Sequence, residues 1–160
     1  MKAIETGPVG LWVGESVWAF NGLLMFHMIA VAMVFGMILI VDLRLLGLTS
    51  RNTSVTQLCE DVIPWTWLAF AVSVVTGTII FTGQAVKYYD NYAFRMKFLM
   101  LVLAGINMLV FQLITSRDAS KWDRDAAAPL AGRIAATLSL VFWIAIVFFG
   151  RRIGFTTMPA

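Results

Sequence analysis

The chain has 160 residues, of which 60% are hydrophobic and 13% charged, with a net charge of +3 and a mean hydropathy of +0.84. An ordinary soluble domain is about 45–50% apolar and about 25% charged, and a soluble chain this apolar would expose aggregating patches. The composition therefore excludes a soluble globular domain and points to one compact unit of membrane helices over residues 1–160. Basic residues sit at the ends of apolar runs rather than in clusters, which anchors helices in lipid and excludes a nucleic-acid face. Cys59 is the single cysteine and can form no internal disulfide.

In chain order, the first apolar segment runs from about residue 16 to 41. It is too long for a signal-peptide core and no small-x-small cleavage site follows it, so it is expected to remain as a helix. The connection after it, SVTQLCEDVIP, places Val55, Leu58, Cys59, Val62 and Ile63 at i, i+3, i+4, i+7 and i+8. That is one apolar stripe on a helix, with Ser54 and Gln57 in capping-box spacing. A short amphipathic helix lying on the membrane surface is predicted here. Pro64 then suits the first turn of the second span, and Trp65 and Trp67 belong to an interfacial aromatic belt.

The second, third and fourth spans cover about residues 64–83, 96–115 and 130–150. Each meets the roughly 20 residues that a bilayer core requires, and lipid offers bare backbone no hydrogen bonds, so each must be helical. Two stripes of small residues, Ala69, Ser73, Gly77 and Ala131, Ala135, Ser139, predict close helix contacts. The fold class is all-α: an integral membrane four-helix bundle with an interfacial helix between its first two spans. Four spans put Lys2, Lys87, Arg95, Lys97, Arg151 and Arg152 on one side and Arg44, Arg51, Arg117, Lys121, Arg124 and Arg133 on the other. The positive charges balance, so they assign no orientation.

His27 is the sole histidine. It lies about 11 residues, or roughly 16 Å, into the first span, near mid-membrane. Two readings stand beside each other: a packed imidazole that hydrogen-bonds across helices, to Asn107, Gln112 or a backbone carbonyl, and an axial ligand of haem b. A second axial ligand would come from a homodimer partner or from a methionine on another helix, Met100 or Met108. Asn107 and Gln112, polar residues inside the third span, suit helix–helix hydrogen bonds or contacts to a quinone or a haem propionate. Copper, which soft donors would hold, is less favoured, because Cys59 lies far from His27. The polar rims at Asp42 and Arg44, at Tyr88, Tyr89 and Arg95, and at Trp122 are solvated helix ends that could dock a partner.

No Asp, Glu, Lys or Arg falls in the central part of any span, which argues against ion-coupled transport. No nucleophile triad, phosphate loop or metal-ligand cluster appears, and no independent catalytic activity is expected.

The stretches VDLRLLGL, VIPWTWLAFAVSVVTGTIIF, AVKYYDNYAFRMKFLMLVLAGINMLVF and KWDRD, followed by RIAATLSLVFWIAIVFFGR, resemble a family of small bacterial inner-membrane proteins of unknown function over about residues 15–153. The helix that starts at Lys97 and carries Asn107 is similar, more distantly, to the membrane domain of copper-resistance protein D. The resemblance implies a four-helix fold in the bacterial inner (cytoplasmic) membrane. Its pattern matches His27, but it often has further histidines where this chain has Gln112 and Asp90, so ligands that relatives would use for haem or copper are missing.

Three functions follow as expectations. The first is a non-catalytic accessory subunit of a larger membrane complex, with lipid, other subunits or a second copy as partners. The second is a b-haem electron-transfer or quinone-interacting protein that uses His27. The third is copper handling at the membrane.

Overall fold

A computed structural model describes residues 1–49, 54–115 and 128–157. The helices are α1 (Lys2–Glu5), α2 (Pro8–Glu15), α3 (Val17–Leu45), α4 (Val55–Gly83), α5 (Ala85–Asp90), α6 (Tyr92–Val110) and α7 (Leu130–Thr157), with one π turn at Phe111–Thr115 after α6. No strand occurs among the described residues. Four helices are long and apolar enough to cross a membrane: α3, α4, α6 with its π turn, and α7. The chain is an all-α, multi-pass membrane protein.

Side-chain caps set the helix starts. Ser16 Oγ accepts the Ala19 amide at 3.2 Å, Ser54 Oγ that of Gln57 at 3.1 Å, and Asn91 Oδ1 those of Ala93 and Phe94 at 2.8 and 3.3 Å. Each supplies an acceptor to first-turn donors that no carbonyl can reach. α3 ends in a Schellman turn: Leu48 N–H bonds Leu43 O and Gly47 N–H bonds Arg44 O, both at 2.9 Å. Gly47 sits at φ 73°, a left-handed conformation that glycine adopts without steric cost. The Ala128 amide then donates to Leu45 O at 3.1 Å and ties the approach to α7 onto this end of α3.

α3 packs along α4 on one side and against α7 on the other, and α6 packs along α7, whereas the backbones of α4 and α6 stand apart and the two helices touch at one end, where Phe81 stacks on Phe94 with ring centroids 5.4 Å apart. The cross-section is therefore an open ring in the order α4, α3, α7, α6. Val34, Ala69, Ala104, Trp143 and Ile146, one or two from each helix, form the inner core. A second buried cluster at the far end joins Leu45, Val55, Ala128 and Ala136.

Two features differ from the sequence reading. The stretch after Ser54 is not a separate surface helix. It is the first part of α4, which continues through Pro64. Its apolar stripe turns inward: Val55 is buried against Leu45 and Cys59 packs on the same cluster. Pro64 removes one N–H, so the Glu60 carbonyl loses its helical donor, yet packing on α3 holds the helix together. The small-residue stripes make helix contacts as expected, Ala69, Ser73 and Gly77 against α3, Ala135 with Asn107 of α6 and Ser139 with Asp42 of α3, while Ala131 is exposed. The sequence also gave no sign of α1 and α2. They fold over the end of α4, where Glu5 Oε1 accepts the Val86 amide at 2.9 Å and the Gly14 and Gly83 backbones come close together.

Candidate functional site

His27 lies on α3 with its ring against α4. Nδ1 is 2.9 Å from the Ser73 carbonyl oxygen and 3.1 Å from Thr76 Oγ1. A carbonyl only accepts, so Nδ1 carries the proton and Nε2 keeps its lone pair. Gly77 makes room for the ring: a Cβ there would stand 3.0 Å from His27 Cε1. Of the expected partners, the backbone carbonyl is the one found; Asn107 and Gln112 lie elsewhere. Met25, Met28 and Met33 point outward, and Met100 packs on the inner core.

Asn107 and Gln112 belong to a second polar region. They line a cleft of about 320 Å³ between α4 and α6, floored by α3 and α7. The cleft exists because α4 and α6 stand apart. Its α4 wall carries Cys59, Thr66, Trp67 and Phe70, its α6 wall Gly105 and Met108, its floor Asp42, Ser139 and Trp143, and the π turn adds Phe111 and Gln112. π turns widen a helix locally and are frequent at functional sites. Asn107 Nδ2 donates one of its two N–H groups to Ala135 O at 2.9 Å.

Asp42 and Arg44 were expected on a docking rim. The structure encloses both, at 5% and 0% exposure. The Asp42 carboxylate takes a hydrogen bond from the Ser139 side chain, and its Oδ2 is buried with no hydrogen-bond partner. A signal for this lay in the sequence. Asp42 continues the series Val34, Ile38, Val41, Leu45 at helical spacing, all of which line the cleft, so helical periodicity places it inside.

The other rim residues divide. Tyr88 is buried in a stack with Phe81 and Phe94, ring centroids 6.3 and 5.7 Å away, and burial raises its phenol above the ordinary value. Tyr89, at 56% exposure, and Arg95 face outward. Lys97 leans on α7, its Nζ within 3.7 Å of where a Gly150 Cβ would be. Trp122 lies outside the described residues.

His27 does not line the cleft, and Cys59 is 14 residues before Ser73 on α4, about 21 Å along a helix at 1.5 Å per residue. No group of three His, Cys, Asp or Glu that could hold a metal occurs among the described residues. Within one chain, His27 and Cys59 therefore do not share a site.

Fold and site together define a multi-pass four-helix membrane protein with a polar-floored lateral cleft. The chain belongs to the family of unknown function DUF6644, whose model matches residues 6–156. No curated protein and no solved structure matches it.

Proposed function

We propose that the protein is a non-catalytic accessory component of the bacterial inner membrane, and that it works by holding a lipid-soluble small molecule in the α4–α6 cleft. The observation that carries this reading is the cleft of about 320 Å³ itself, with apolar walls and with Asp42, Asn107 and Gln112 among its lining residues. Apolar walls with a few convergent polar groups are the usual composition of small-molecule sites. Exposed Tyr89 and Arg95 at one end support docking on another membrane subunit.

Cys59 lines the cleft and tests the reading as the only thiol in the chain. Alkylation by a small apolar maleimide is expected to be slow in native membranes and fast after delipidation and reconstitution into synthetic lipid. Gly105 also lines the cleft, and a Cβ there meets nothing within 4 Å. Gly105→Phe is therefore expected to slow Cys59 alkylation in both preparations. Equal, fast alkylation of the unmodified protein in both would rule out an occupied cleft.

A further inference from the structure

We propose that the outer groove between α6 and α7 binds the phosphate of an anionic phospholipid through Arg95 and Arg152. This site lies away from the cleft and does not depend on how the cleft is read.

Helix register brings the two arginines together. Asn91 Nδ2 donates to Thr156 Oγ1 at 2.7 Å, where α6 begins and α7 ends. Further along the pair Lys97 lies beside Gly150, so the two helices run antiparallel. Arg95 follows Asn91 by four residues, and its amide bonds the Asn91 carbonyl at 3.2 Å. Arg152 precedes Thr156 by four, and its carbonyl accepts from Thr156 Oγ1 at 3.0 Å. Residues four apart share a helix face, and each step of four advances roughly 6 Å. Both steps lead from the Asn91–Thr156 bond into the membrane. Arg95 and Arg152 therefore stand one turn in from that bond, on either side of the same groove, and both are exposed.

Charge decides the ligand. Neither arginine forms an ion pair with another described residue, Asp90 included. Asn91 Oδ1 already accepts the Ala93 and Phe94 amides. A guanidinium only donates and stays charged, and its planar fork matches two phosphate oxygens. Unpaired, it is costly at the edge of a bilayer. Toward the bilayer centre the same groove turns apolar: Phe98 and Val102 follow Arg95 on α6, Phe148 precedes Arg152 on α7, and all three are exposed. A positive end above an apolar groove has the polarity of a phospholipid, with its phosphate at the arginines and its acyl chains beside Phe98, Val102 and Phe148. Basic pockets between membrane helices are known to hold acidic headgroups. Phosphatidylglycerol fits this charge, whereas phosphatidylcholine brings an ammonium that the arginines repel. A subunit docked at this end would meet Tyr89 and the bound lipid.

The test uses the full chain, washed exhaustively in detergent and then given phosphatidylglycerol or phosphatidylcholine, with bound lipid counted by native mass spectrometry. Ion pairs at an exposed face are weak, so this lipid exchanges with detergent and has to be supplied. Phosphatidylglycerol is expected to bind about tenfold more tightly than phosphatidylcholine. Arg95→Gln combined with Arg152→Gln is expected to remove that preference. Arg133→Gln, which takes an exposed charge from the opposite end of α7, is expected to leave it intact. Equal binding of the two lipids overturns the proposal, as does a preference that persists in the double variant while it stays monodisperse. An equal loss of preference in Arg133→Gln would reduce the effect to net charge and also overturn it. Displacement of phosphatidylglycerol by millimolar inorganic phosphate would assign the pair to a free anion. A protein subunit that leaves the chain in the double variant, without any lipid preference, would assign it to an acidic partner, and either result overturns the lipid site. None of these outcomes touches Cys59 protection, which reports on the cleft.

Discussion

His27 is held by α4 through Nδ1, which Ser73 O and Thr76 Oγ1 share, and through close packing on Gly77. Hydrogen bonds between membrane helices contribute about 0.6 kcal/mol on average, with a ceiling near 1.7, so His27→Ala is expected to lower stability by about that amount. Gly77→Ala would push a methyl group to 3.0 Å from His27 Cε1 and is expected to cost about 1–3 kcal/mol through overpacking. The two changes should not add, because the alanine at position 27 removes the atom with which the new methyl collides. Reversible unfolding in mixed micelles measures all three variants. Additive losses would mean that the ring does not sit on Gly77. At this scale the sequence showed where the rare residues were, but not what they touched. The period of α3 puts Ala30 and Val34 on the face of His27, and both are buried. It gave no means of choosing Ser73 over Asn107 as the partner of His27, because that choice depends on which helix stands beside α3.

Among the elements, α4 departs most from what the residues suggested. Proline usually ends or kinks a helix, and SVTQLCEDVI has the stripe of a surface helix. Both signals were real, but local. The same stripe fits the end of α3 and the start of α7, and that burial carries the helix through Pro64. In membrane helices such prolines are tolerated where neighbouring groups re-satisfy the backbone. Pro64→Ala restores a donor for the Glu60 carbonyl and is expected to leave stability unchanged or raise it, up to the roughly 3 kcal/mol that an interior proline can cost. A clear loss on unfolding would mean that α4 needs a break at this point. Gly47→Ala is expected to act in the other direction, costing about 1 kcal/mol, because its φ of 73° strains any residue with a Cβ.

For the whole molecule, composition and span lengths were enough to specify four membrane helices. They could not specify that the ring of helices is open. Nothing in the α4 or α6 sequence marks the two as non-neighbours, and the cleft arises only from how α3 and α7 hold them apart. That is why Asp42 read as a solvated rim residue, while Asn107 and Gln112 read as isolated polar positions. In three dimensions they share one cavity. A cleft with apolar walls and a few polar lining groups should hold its ligand through gentle purification. Native mass spectrometry of the protein taken directly from its own membranes into mild detergent tests this. The expected spectrum shows the chain with one added small lipid-soluble molecule, and the addition disappears in Gly105→Phe while that variant stays folded and monodisperse. A bare chain, or an added mass that persists in Gly105→Phe, would contradict the account.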